Sequence, residues 1–115
     1  VFSGIELLCY PVLAIGGAGH VSATANLLPR ELARLYDLVA ASRFAEAIDL
    51  HYHLLPLNDV LFVETNPGPL KYALGLTGRI TPTLRAPLCE PSSENRERIR
   101  ATLARYGLLP AEVSA

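Results

Sequence analysis

The sequence predicts an α/β fold, in which a parallel strand–helix–strand unit precedes a region that is entirely helical. A β-branched and aromatic piece ends at Gly4, and small and β-branched residues follow Gly19. An apolar helical segment and a glycine turn separate these two strands, and amphipathic periodicity begins at Pro29. Two parallel strands are too few for a stable sheet, so the unit indicates part of a larger one.

The first unit consists of four short segments. Residues 1–3 predict the end of a strand, and residues 5–15, which are apolar nearly all round, predict a buried helix. The glycine turn at residues 16–19 ends that helix, because glycine tolerates the left-handed conformation of a helix cap. Residues 20–24 then predict a short buried strand.

The helical region begins with Pro29, a residue suited to the first position of a helix, followed by apolar residues at helical spacing. Ser42 is the predicted N-cap of a second helix, which runs to residue 63 and which Pro56 should kink. The remaining predictions are a rigid turn at 65–69, a helix at 70–76 closed by Gly78, an irregular segment at 80–91, and a helix at 94–106 capped by Gly107.

Composition excludes several classes of protein. Half of the 115 residues are hydrophobic and 18% are charged, with a formal net charge of −1. This balance excludes intrinsic disorder and offers nucleic acid no basic surface. Residues 7–29 carry no charge, but Pro11, glycines and polar residues interrupt them, which argues against a membrane span.

Cys9 and Cys89 are too few for a disulfide framework or a zinc site. They are typical of small buried hydrophobic side chains in a reducing compartment, so we expect a cytoplasmic protein. No signal peptide is recognisable, and a first residue other than Met leads us to expect that the chain begins inside a longer one.

Two motifs suggest a ligand, but the predicted secondary structure around each of them does not fit that ligand. Residues 17–22, with Asp37 further on, resemble a dinucleotide fingerprint, but the glycines precede a strand instead of following one. Asp49, His51 and His53 suggest a metal site, but residues two apart on a helix point to different faces. We therefore predict neither a nucleotide cofactor nor a metal.

Lys71 is the only lysine, and a desolvated lysine can form a Schiff base. We favour a structural role for it, in which the amine donates to carbonyls or pairs with Glu64. Gly4 and residues 21–26 are the stronger candidates for a site. They would lie at the carboxyl ends of parallel strands, where a barrel binds its ligand, although tight helix–strand packing explains the same small residues.

An ordered set of motifs resembles one family. The set comprises Ser3-Gly4, the GGAGHVSATAN segment at 16–26, Pro29-Arg30, residues 51–57, the LFVE segment at 61–64, the NPGPLK segment at 66–71 and the LRAPL segment at 84–88. Together these motifs, which span nearly the whole chain, resemble the C-terminal portion of the dihydrodipicolinate synthase/N-acetylneuraminate lyase family, and most of all its synthases.

The resemblance implies the C-terminal part of a TIM (β/α)8 barrel: its last two parallel strands in residues 1–28, then the final barrel helix and a C-terminal α-helical appendage in residues 29–115. It also implies a class I lyase, in which pyruvate forms a Schiff base with a lysine and the enamine attacks an aldehyde. That lysine, the relay tyrosine and the threonine pair would all precede this chain. The resemblance therefore implies no catalytic residue here, no separate cofactor, and a homotetramer.

Two substrate-binding positions carry over by resemblance, namely Val21, whose main chain would lie against pyruvate, and Gly4, which would line the cleft. Lys71 corresponds to a structural lysine of the family. Ile5-Glu6 stands where many synthases have an acidic pair, and His20 replaces an aliphatic residue. These departures leave the aldehyde open. An N-acetylneuraminate lyase or hydratase-aldolase and a non-catalytic helical interaction module remain alternatives.

Overall fold

In the computed structural model, the two strands among the described residues, β1 (Phe2–Ser3) and β2 (Gly19–His20), pair in parallel. Phe2 lies opposite Gly19 and Ser3 opposite His20. The predicted parallel unit is therefore confirmed. The second strand was predicted at residues 20–24, which is wrong in its bounds, because the chain turns into a 3₁₀ helix at Thr24–Asn26.

The connection between the strands is also less regular than predicted. A 3₁₀ turn at Glu6–Leu8 leads into the six-residue helix α1 (Cys9–Ala14), and Gly16 follows with a positive φ of 97°. The prediction that this segment is buried all round is wrong for this chain. Cys9 and Leu13 are buried, whereas four apolar side chains that no described residue covers are exposed: Ile5, Leu7, Leu8 and Ile15.

Helix α2 (Pro29–Ala40) begins at the predicted proline. It ends in a Schellman motif, in which the amide of Arg43 donates to the Leu38 carbonyl and that of Ser42 to the Val39 carbonyl. Ser42 takes the left-handed position of this motif, with a φ of 58°. The prediction of Ser42 as an N-cap is therefore wrong, and the next helix, α3 (Phe44–Val60), begins two residues later and includes Pro56.

The structure describes residues 1–110 and divides the chain into two compact units, one from Val1 to Asn58 and one from Asp59 onward. The core of the first unit contains buried residues of α1, α2 and α3, which are Cys9, Leu13, Leu35, Leu38 and Ala47. The predicted boundary between barrel and helical region at residue 28 remains a prediction, and residues 111–115 of the helical region lie outside the described part.

In the second unit, α4 (Gly68–Leu76) packs against α5 (Ser93–Arg105). The α5 N-cap is Ser92, whose side chain accepts a hydrogen bond from the Asn95 amide, and Gly107 follows the helix with a φ of 65°. Residues 80–91 between the helices are irregular, as predicted. The buried hydrophobic residues of the two helices are Leu70 and Ala73 in α4 and Ile99 and Leu103 in α5.

Candidate functional site

The carboxyl ends of β1 and β2 lie side by side, since the strands are parallel and in register. Gly4 follows β1 and Val21 follows β2, and the Val21 amide donates a 2.8 Å hydrogen bond to the Ser3 carbonyl. The two residues predicted to bind substrate are therefore neighbours. Val21 is 72% exposed, and a Cβ added at Gly4 would meet no atom within 4 Å, so both border open space.

A buried carboxylate lies directly behind these strand ends. Glu6 is only 2% exposed, and its two oxygens form hydrogen bonds with the last residue of β2 and with two residues that follow this strand. His20 Nε2 lies 2.8 Å from Oε2, the Ser22 hydroxyl lies 3.0 Å from Oε2 and 3.1 Å from Oε1, and the Thr24 amide lies 3.0 Å from Oε1. We call these four residues the Glu6 cluster.

The cluster satisfies its carboxylate fully. His20 contacts this carboxylate through Nε2, which leaves Nδ1 as its second ring nitrogen. That Nδ1 is buried and has no partner among the described residues. Among the described residues, His20 is therefore held through one ring nitrogen only.

A second polar contact connects the cluster to the helices. The Thr24 side chain, which is fully buried, donates a 2.7 Å hydrogen bond to Oδ1 of Asn58 in α3. Ser22 Oγ also accepts from the Ala25 amide at 3.0 Å, which closes the turn after β2. The segment that carries Val21 is thus held by side-chain contacts as well as by the sheet.

Sequence reasoning did not predict the Glu6 cluster. Glu6 enters the sequence analysis only as part of the Ile5-Glu6 pair, and its partners lie 14 to 18 positions further along the chain. In the structure Glu6 is buried, and Ile5, 59% exposed, is the member of the Ile5-Glu6 pair that borders solvent. A histidine in a strand predicted to be buried is the available signal, because a buried imidazole requires a partner.

The two cysteines differ in environment. Burial, and secondarily the Glu6 carboxylate, raises the pKa of the Cys9 thiol to about 11, so this thiol stays protonated and is a poor nucleophile. Cys89 is exposed, and the prediction that both cysteines are buried is wrong for it. Both thiols are free.

Lys71, the one lysine of the sequence, lies in α4. Its Nζ donates a 2.8 Å hydrogen bond to the Thr83 carbonyl, which is the structural role that we favoured. Glu64, the alternative partner, instead accepts from the side chain of Asn95 at 2.7 Å and from the amide of Ser92 at 2.8 Å. These hydrogen bonds hold the pKa of the Glu64 carboxyl below its usual range.

In the motifs that suggested a metal and a dinucleotide, His51 and Gly17 take part in packing contacts. The ring of His51 lies 5.7 Å from that of Tyr10, and burial lowers the pKa of His51. Within residues 1–110, no three His, Cys, Asp or Glu side chains are placed to hold a metal ion. Gly17 packs closely on α1, because a Cβ there would lie 2.6 Å from the Val12 carbonyl oxygen.

None of the helices in the described part of the chain combines the length and the apolar character that crossing a membrane requires.

Comparison with known proteins gives consistent results. Residues 1–106 match the model of the dihydrodipicolinate synthetase family. The chain is 43% identical over 115 residues to a 4-hydroxy-tetrahydrodipicolinate synthase of Thermus thermophilus, covering all of this chain and 38% of that protein. It is 45% identical over 107 residues to the synthase of the same name from Campylobacter hominis, covering 92% of this chain and 36% of that protein.

Solved structures match equally well. A crystal structure of dihydrodipicolinate synthase from Aquifex aeolicus superposes with a TM-score of 0.93 and 38% identity, covering 97% of this chain and 38% of that one. The Thermotoga maritima enzyme gives a TM-score of 0.92 and 37% identity, covering 95% and 37%. The chain thus spans about 38% of the length of such relatives.

Proposed function

This chain belongs to the dihydrodipicolinate synthetase family and has the α/β fold of part of its TIM barrel, and from this premise we propose that it is the C-terminal portion of a 4-hydroxy-tetrahydrodipicolinate synthase. The whole enzyme would condense pyruvate with L-aspartate semialdehyde in lysine biosynthesis. The observation that carries the proposal is the parallel pairing of β1 and β2, which brings Gly4 and Val21 to one edge of the sheet.

The chemistry that we propose requires an amine from outside this chain. The lysine amine attacks the ketone carbon of pyruvate and water leaves, which gives an imine; loss of a methyl proton gives an enamine, whose carbon bonds to the aldehyde carbon. Lys71, which lies in α4, donates to the backbone carbonyl of Thr83 and is no candidate for this amine. The chain would contribute binding walls at Gly4 and Val21, without a separate cofactor, and would be inactive alone.

Exposed apolar surface in the first unit favours the same proposal. Val1, Phe2 and Ile15 are 93%, 66% and 87% exposed, and the part of the chain that the structure describes supplies two strands to the sheet. Apolar strands with free edges are prone to association. We propose that the other strands of a closed barrel cover them, and that the whole enzyme is a cytoplasmic homotetramer.

The test is an exchange of segments. These 115 residues replace the matched 115 residues of the Thermus thermophilus synthase, and the purified chimera is assayed with pyruvate and L-aspartate semialdehyde. We expect condensation. A chimera that folds and assembles like the parent but does not condense the two substrates contradicts the proposal.

The same assay addresses the open question of the aldehyde. Ile5 gives the strand end an exposed apolar side chain, and the second substrate is selected by side chains around the cleft. Cleavage of N-acetylneuraminate by the chimera, with no product from L-aspartate semialdehyde, would assign the chain to a lyase of the same family instead.

A further inference from the structure

From the last residue of β2 onward, every second residue forms a hydrogen bond with Glu6. His20, Ser22 and Thr24 all donate to the Glu6 carboxylate, and Val21 lies between the first two of these anchors. The Val21 amide itself donates to the Ser3 carbonyl. The peptide units on both sides of Val21 are therefore restrained, while its side chain remains exposed.

The end of β1 is restrained from the same place. The Ser3 hydroxyl donates to the Ile5 carbonyl at 3.1 Å and accepts from the Ile5 amide at 3.3 Å, which forms a tight turn around Gly4. Glu6 follows this turn directly. A single carboxylate thus connects the turn at Gly4 with the segment that carries Val21.

We propose that Glu6 is a positioning residue, which fixes the main chain of Val21 relative to Gly4 and so sets the geometry with which the enzyme receives pyruvate. This inference rests on the proposed function. Glu6 does not touch substrate, because it is buried and its oxygens already accept from three donors. It acts through Ser22 and the Thr24 amide, which move the backbone with them.

The variant Glu6→Gln tests this role in the full-length enzyme. Glutamine preserves the volume but presents an NH2 group to a site that holds three donors, so at least one hydrogen bond is lost. A displacement of bound substrate by about 1 Å costs on the order of a hundred-fold in rate. We expect kcat/KM for pyruvate to fall about ten-fold to a hundred-fold, with kcat/KM for the aldehyde changed by less than about three-fold.

A second pair of variants decides the matter if Glu6→Gln fails to fold. Ser22→Ala removes the hydroxyl that donates to both Glu6 oxygens, and Ser22→Thr keeps it. We expect Ser22→Ala to lower kcat/KM for pyruvate selectively and Ser22→Thr to restore it. A purely structural role would lower the active fraction, so both specificity constants would fall equally.

The outcomes separate the inference from its premise. Equal loss with both substrates, no loss, or failure of Ser22→Thr to restore activity overturns the positioning role. A wild-type enzyme that does not condense pyruvate with an aldehyde overturns the proposed function instead.

Discussion

Removing Glu6 and removing His20 should have very different consequences, although the two side chains are partners. Glu6→Ala leaves the Thr24 amide and the His20 Nε2–H buried without an acceptor, and only the Ser22 hydroxyl can turn elsewhere. Each buried donor without a partner costs about 1–3 kcal/mol. Local opening of the segment after β2 should therefore become easier by about 4 kcal/mol.

His20→Val removes one hydrogen bond to a charged acceptor, worth about 1.5–3 kcal/mol. The same substitution removes a buried Nδ1 that has no partner in the described structure, and this gain in stability is comparable to the loss from the hydrogen bond. Valine also places an apolar side chain where the imidazole was. Glu6 keeps Ser22 and Thr24 as donors. The net effect should lie within about 1 kcal/mol.

Native-state amide hydrogen exchange of the full-length protein, followed on peptides that cover residues 21–28, measures this difference. We expect the Thr24 amide to exchange about a thousand-fold faster in Glu6→Ala and less than about ten-fold faster in His20→Val. Peptides from α5 are the internal control and should not change. Equal acceleration by the two variants would show that His20 alone holds the carboxylate in place, and that Ser22 and Thr24 do not hold it without His20.

Three further predictions follow from individual contacts. Because the pKa of Glu64 is lowered in the folded state, its stabilising contribution is present above the usual pKa of the carboxyl and is lost as the pH falls through the lowered value. The unfolding midpoints of wild type and Glu64→Gln should therefore differ near neutral pH and converge in acid. A difference that stays constant with pH would contradict this prediction. Gly17→Ala should lower the free energy of unfolding by about 1–3 kcal/mol, because the new Cβ meets the Val12 carbonyl. Gly4→Ala, whose new Cβ meets no atom within 4 Å, should change this free energy by less than about 0.5 kcal/mol. Equal effects of the two variants in denaturant titrations would contradict the close packing of Gly17. In a Cys89→Ser background, native Cys9 should react with iodoacetamide on the order of a hundred-fold more slowly than an ordinary thiol, since its pKa is about 11, and rapid labelling detected by mass spectrometry would show that the thiol is not buried.

Local signals in the sequence predicted the helices well. Pro29 at the start of α2 and Gly107 after α5 act through neighbouring backbone groups, so a single sequence reveals them. The error at Ser42 has a local cause as well. A serine can cap a following helix or close the preceding one, and the sequence does not distinguish these uses until the contacts of Arg43 and Leu38 are seen.

The candidate site depended on contacts between distant residues. The family resemblance placed Gly4 and Val21, but the burial of Glu6 follows from donors that lie 14 to 18 positions further along the chain. The same contacts shorten β2, because the Thr24 amide turns to the carboxylate instead of continuing the strand. Such an arrangement is determined by tertiary packing, which periodicity and capping do not report.

If this chain forms walls of a pyruvate site whose amine lies elsewhere in the enzyme, pyruvate must bond to a lysine outside these 115 residues. Reductive trapping tests it most directly: the full-length enzyme is incubated with pyruvate and borohydride, digested, and mapped by mass spectrometry. We predict one carboxyethyl group on a lysine outside these 115 residues and an unmodified Lys71. A stable adduct on Lys71 would show instead that the amine lies within this chain.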